Sequence, residues 1–170
     1  MPVVPSNTAR VRIFAAEPPL PAVAQTALVA ALGKLVAHFI RESRCTSAEV
    51  TAQENGRFLV IAWEGPPLSG CSHDKIAQII AGQESTSGCA LLNPPPIAIG
   101  AAGNVRLTDR AGVRALLATG ADETATVVWN VHAGQLADWN RGPQPLRESR
   151  LASLMISGLV PLPGPVAVSA

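Results

Sequence analysis

The run Ser69-Gly70-Cys71-Ser72-His73-Asp74 gathers a thiol, two hydroxyls, an imidazole and a carboxylate within six positions. It follows the proline-broken stretch 64–68 and precedes Ile76, Ile79 and Ile80, whose spacing predicts a short helix stopped by Gly82, so the run opens that helix. First-turn amides have no intrahelical acceptor, and the positive end of the helix dipole adds to them. A thiol held there is biased toward thiolate, which makes Cys71 a candidate nucleophile. In that reading the backbone N–H groups of Ser72 and His73 stabilise an anion, and His73 or His132 serves as the base. The same donors suit a bound phosphate or carboxylate, with Ser69, Gly70, Ser72 and Asp74 as the ligand-binding set. Gly70 permits close approach, whereas Asp74 competes for the same helix end. A third alternative is structural: Ser69 or Ser72 caps the helix, Asp74 complements the dipole and Cys71 is a small buried hydrophobe.

Other residue patterns narrow the chemistry. His38, on the polar side of a helix, reads as a surface residue, and His132 meets Cys71 only if their elements are neighbours in space. The chain has no C-x-x-C, no H-E-x-x-H and no paired histidine spacing, so no metal site or cofactor is expected. P-loop, G-x-G-x-x-G, G-x-S-x-G and EF-hand patterns are absent as well, which removes the usual signatures of nucleotide hydrolysis and lipase-type chemistry. Arg106, Arg110 and Arg114 read as a solvated face, with Asp109 interleaved. Trp63, Trp129 and Trp139 lack interleaved basic residues and read as packing rather than as a base-stacking platform.

Composition bounds the class. The 170 residues are 48% hydrophobic, with alanine the commonest of them, and 15% charged, with no tyrosine. This length suits one domain of about 100–200 residues. A net charge of +1 supplies no field for nucleic acid or anionic lipid, so neither is expected as a partner. The expected partner is a small molecule or a protein. Cys45, Cys71 and Cys89 form no disulfide framework, and no basic n-region precedes the first apolar residues, so a cytoplasmic setting is expected. Three uncharged runs, at 18–33, 85–105 and 151–170, are too short or too broken by Gly and Pro to predict a membrane span.

Reading along the chain, Val11, Ile13 and Ala15 predict a strand, and Ala24, Leu28, Leu32, Leu35 and Phe39 a helix beginning at Pro21 and running to about Arg41. Asn55-Gly56 predicts a hairpin joining strands at 49–53 and 58–63. Residues 83–96 read as loop, and 97–107 as a second hairpin. A helix over 109–119 is capped by Thr108, and a strand spans 124–131. Short helices are expected near 134–140 and 147–155. The fold class expected is α+β, a mainly antiparallel sheet of about six strands carrying three main helices. Residues 1–9 are expected to be a disordered segment, 10–155 one domain and 156–170 a flexible, uncharged Pro/Gly-rich tail.

The segments Arg57-Phe58-Leu59-Val60-Ile61, Ser69-Gly70-Cys71-Ser72-His73-Asp74, Thr126-Val127-Val128-Trp129-Asn130 and Asp138-Trp139 resemble a family of short bacterial hypothetical proteins. That family carries Ser-Gly-Cys-Ser-Ile-Asp at the start of a helix after a hairpin, with a later Thr-x-Val-Phe-Asn-like strand. The resemblance spans about residues 10 to 155, and only the six-residue motif is distinctive. It implies no established activity, and a transporter-ATPase label borne by some relatives finds no P-loop here. This chain has His73 where those relatives tend to have Ile, and Glu42-Ser43 where they often have His-Gly. The function expected is a small bacterial binding or regulatory domain using the helix start at Ser69–Asp74; the alternative is a thiol-dependent enzyme with Cys71 as nucleophile.

Overall fold

The computed structural model describes residues 4–121 and 125–152. Its architecture follows from β3 (Phe58–Glu64), whose sequence FLVIAWE is apolar on both sides and buried from Phe58 to Trp63. A strand with no solvent face must be sandwiched, because alternate side chains need cover on opposite faces. β3 pairs antiparallel with β2 (Ser47–Gln53) and β1 (Arg10–Glu17), and β1 pairs antiparallel with β4 (Ala90–Leu92), giving the order β2-β3-β1-β4.

One face of this sheet presents Phe14, Ala16, Val50, Leu59, Ile61 and Trp63 to two helices. α1 (Ala22–Arg41) buries Ala24, Leu28, Leu32, Val36 and Phe39 at helical spacing, and α2 (Gly70–Ser87) buries Ile76 and Ile80. The opposite face presents Val11, Ile13, Ala15, Phe58 and Val60 to a second four-stranded antiparallel sheet and its loops. That sheet runs β6-β5-β7-β8, from β5 (Ile97–Ile99), β6 (Arg106–Thr108), β7 (Val127–Val128) and β8 (Gln144–Pro145). Phe58 stacks edge-on against Trp139 and tilted against Trp129, with centroids 5.1 and 5.4 Å away. Each indole also has a partner for its N–H: Trp129 donates to the Gly100 carbonyl and Trp139 to Gln53 Oε1, both at 2.9 Å. α3 (Arg110–Ala118) closes the far side of the second sheet through Val113, against Ile99, Val128 and Leu146. The molecule is therefore a mixed α+β fold with layers of helix, sheet, sheet and helix, and a short α4 (Leu136–Asn140) at the side of β1.

The hairpin turn occupies residues 54–57, two longer than the Asn-Gly signal alone requires. Gly56 has φ +84° and packs so closely that an added Cβ would collide with the Leu20 carbonyl oxygen and the Gln25 side chain. Beside it, Arg57 is buried and satisfies its guanidinium on the Ala16 carbonyl (2.7 Å), the Val105 carbonyl (3.1 Å) and Glu17 Oε2 (2.7 Å).

Several expectations change. In place of one sheet of about six strands there are two of four, because the apolar second face of β3 needs a sheet of its own. α2 passes through Gly82 and stops at Gly88, whose left-handed φ of 70° lets its N–H reach the Glu84 carbonyl. The beginning of the expected loop 83–96, as far as Ser87, is thus helix, and the loop also contains β4, where the Leu91 N–H donates to Glu84 Oε1. The N-cap of α3 is Asp109, which accepts from the Gly112 N–H at 2.7 Å, while Thr108 ends β6 opposite Ile97. The strand expected over 124–131 is reduced to Val127–Val128, since Trp129 turns inward, and residue 124 lies outside the described residues. In the 147–155 region a 3₁₀ turn spans Leu146–Glu148. Residues 153–155 and the expected tail at 156–170 lie outside the described residues.

Within the expected N-terminal segment, the Ser6 N–H donates to Glu64 Oε1 at 2.7 Å, and the Ala9 carbonyl accepts from Leu136. Residues 1–3 lie outside the described residues. α1 continues past Gly33 to Arg41, which makes it the one helix among the described residues long and apolar enough to cross a membrane. Its buried stripe packs on the sheet.

Phe58→Ala removes a fully buried ring from between the two sheets, so the free energy of unfolding should fall by about 3–5 kcal/mol in a urea titration. A loss below about 1 kcal/mol would contradict the packing of the second face.

Candidate functional site

Ser69 caps α2: its Oγ accepts from the Ser72 N–H at 3.3 Å, and its carbonyl accepts from the N–H groups of Ser72 and His73 at 3.0 Å. That leaves the amides of Gly70 and Cys71 at the first two helical positions, where no intrahelical acceptor exists. Ser72 points into the core and is completely buried. Its hydroxyl accepts from Arg44 Nη1 at 2.9 Å and lies 3.1 Å from Ser69 Oγ. A buried hydroxyl that receives a guanidinium proton needs an acceptor for its own, and among the described residues Ser69 Oγ is that acceptor. The Ser69 hydroxyl proton is then free to face the solvent side.

Arg44 reaches this point through the end of α1. Arg44 N–H bonds the Phe39 carbonyl and Ser43 N–H the Ile40 carbonyl, both at 2.9 Å, with Ser43 left-handed at φ 57°. This is a Schellman stop, in which Ser43 stands at the position that favours glycine. The Arg44 guanidinium lies 5.5 Å from the centre of the Phe39 ring and pairs with Glu42 through Nε at 2.6 Å. Arg44, Ser69, Cys71, Ser72 and the Pro66-Pro67-Leu68 segment line a cavity of about 350 Å³.

The expected site residues fall into three places. Cys71 is exposed at the cavity, whereas Cys45 and Cys89 are buried. Burial pushes the Cys45 thiol above its ordinary value. His73 turns away from the cavity toward the sheet, where Nδ1 accepts from Arg12 Nη1. Arg12 also donates to Asn93 Oδ1 at 3.0 Å and lies 5.0 Å from the centre of the Phe14 ring. Burial holds the His73 imidazole below 6.5; the charge of Arg12 acts in the same direction and that of Asp74 opposes it. Asp74 is exposed on the first turn. His132 lines a separate cavity of about 280 Å³, together with Trp129, Asp138, Arg141 and Glu148. The two cavities share no lining residue, and among the described residues no histidine hydrogen-bonds Cys71. No group of three His, Cys, Asp or Glu side chains is placed to hold a metal ion among the described residues. His38 pairs with Glu42 at 3.0 Å across one turn of α1.

Three residues of this region carry no expectation from the sequence: Arg44, Arg12 and Asn93. Arg12 alone had a signal, as the one charge inside an apolar strand on the same face as Phe14. The approach of Arg44 depends on how α1 ends, and that of Asn93 on a fourth strand absent from the pattern.

Comparison with protein-family models, with curated proteins and with solved structures finds no match to this chain.

Ser43→Gly relieves a left-handed backbone that costs an L-residue about 1–2 kcal/mol, offset in part by the extra freedom glycine gives the unfolded chain. The variant should be more stable by up to about 1 kcal/mol in a urea titration. A destabilised variant would contradict this account of the turn that places Arg44.

Proposed function

We propose that the protein is a binding domain whose ligand carries a phosphate- or carboxylate-type group seated at the start of α2. The observation that supports this best is the hydrogen bond from Arg44 to buried Ser72, which holds a cation beside first-turn amides with no intrahelical partner. The Ser69 hydroxyl, the Gly70 and Cys71 amides and the remaining Arg44 N–H groups are all donors, and together they match the acceptor-only chemistry of an oxyanion. Glu42 offsets part of the Arg44 charge, so recognition rests on hydrogen bonds at short range more than on a long-range field. This agrees with a chain of net charge +1. The motif shared with the resembling bacterial family falls on this same helix start.

A second reading, thiol chemistry at Cys71, draws on the exposure of that thiol at the same cavity. It has less support, because His73 spends its lone pair on Arg12 and His132 lines the other cavity. Neither is placed to take the thiol proton.

Inorganic phosphate, sulfate and acetate, tested against chloride at equal ionic strength, should raise the melting temperature. A ligand at 100 times its Kd adds about 2.7 kcal/mol to the folded state. Arg44→Gln and Ser69→Ala should abolish the shift. A flat response across the panel, or an undiminished shift in both variants, would overturn the proposal.

A further inference from the structure

We infer that Arg12, His73 and Asn93 form an acid-released latch, which holds the first turn of α2 onto the first sheet only while His73 is neutral. The inference is independent of any ligand at the α2 cavity. A guanidinium carries five N–H donors and no acceptor, so the Nδ1 atom that meets Arg12 Nη1 must bear its lone pair, and the proton of the neutral ring sits on Nε2. The other arm of Arg12 donates to Asn93 Oδ1 at 3.0 Å, and Asn93 Nδ2 donates to the Ile13 carbonyl at 2.8 Å. Three segments thus meet at the Arg12 guanidinium: β1, the loop after β4 and, through the His73 imidazole, the start of α2.

Protonation removes the acceptor and sets two donors, both cationic, against one another. Arg12 does not relieve the conflict by losing its own proton: burial lowers its pKa, yet a guanidinium remains charged at neutral pH. The helix dipole also disfavours a cation in the first turn. Among the described residues, the charged groups acting on the imidazole are Arg12 from β1 and Asp74 from α2, and the loop after β4 contributes the neutral Asn93. Asp74 favours the protonated ring but is exposed, so solvent screens it.

The sign of the effect follows from linkage. The unfolded imidazole titrates near 6.5, and the folded one below that. Between the two values the unfolded chain binds the extra proton, so the stability the latch confers is complete above about 6.5 and is lost as pH falls beneath it. Because His73 lies in the first turn, the opening should begin at the start of α2 and leave the doubly buried β3 closed.

The test uses the full chain in buffer free of phosphate and carboxylate. Long-range proton–nitrogen NMR at pH 8 should show His73 as the Nε2–H tautomer, with a titration midpoint below 6.5. Hydrogen-exchange protection of the amides from Ser72 to Ile76, corrected for intrinsic rate, should drop as pH passes through that midpoint while β3 amides hold. Arg12→Gln should move the midpoint upward. An Nδ1–H tautomer, or protection at the start of α2 that stays level with β3 through the titration, would overturn the latch. Both of these readouts come from the unaltered protein, so the inference stands or falls even if Arg12→Gln does not fold.

Discussion

Burial of both faces of β3 is the constraint from which the remaining architecture follows. Leu59, Ile61 and Trp63 look one way and Phe58 and Val60 the other, so a single layer of helices on one side leaves half of the strand exposed. The second sheet is small, with strands of two or three residues, and its ladder contributes few hydrogen bonds. Its attachment depends instead on the Phe58, Trp129 and Trp139 cluster, whose area and ring geometry give more than short strands can. Arg57 ties the layers polar-side as well, with one guanidinium serving carbonyls of β1 and of the segment before β6.

The candidate site inherits its geometry from that packing. Ile76 and Ile80 lay α2 on the helical face of the sheet, and this brings the helix start against two arginines from different segments. One, Arg44, is delivered by the Schellman stop of α1 and engages Ser72, beside the Ser69 cap, on the cavity side. The other, Arg12, rises from β1 and engages His73 on the sheet side. The first turn of α2 is therefore held at both edges by cations, although the helix dipole alone favours anions there. The two contacts differ in kind: the hydroxyl of Ser72 accepts from Arg44 without regard to pH, whereas His73 accepts only when neutral. Binding and acid sensitivity can thus reside on one helix turn without sharing a side chain.

Much of this was legible in the residues, and the rest was not for identifiable reasons. The α1 periodicity, the Asn55-Gly56 turn and the helix start at Ser69 are local signals, and each lies where its pattern places it. Gly82 suggests a stop because glycine costs about 1 kcal/mol in a helix interior, whereas α2 runs on to Gly88, and the bond from the Leu91 N–H to Glu84 is a contact outside the helix that propensity does not register. Strands of two or three residues carry too few alternations to declare a face, so the sequence pattern does not separate the second sheet from the first. The motif 69–74 announced a site, but its spacing could not tell that His73 and Cys71, two residues apart on a helix, point to different surroundings. Arg44 and Asn93 entered the site through tertiary contacts alone.

The central claim, that the start of α2 seats an oxyanion beside Cys71, can be measured on the unaltered chain by alkylating the exposed thiol with iodoacetamide, a neutral reagent, with and without inorganic phosphate at constant pH and ionic strength. The account predicts that phosphate slows modification of Cys71 in a saturable way, at concentrations that also raise the melting temperature. A Cys71 alkylation rate that phosphate leaves unchanged while the melting temperature rises would place the anion elsewhere and contradict it.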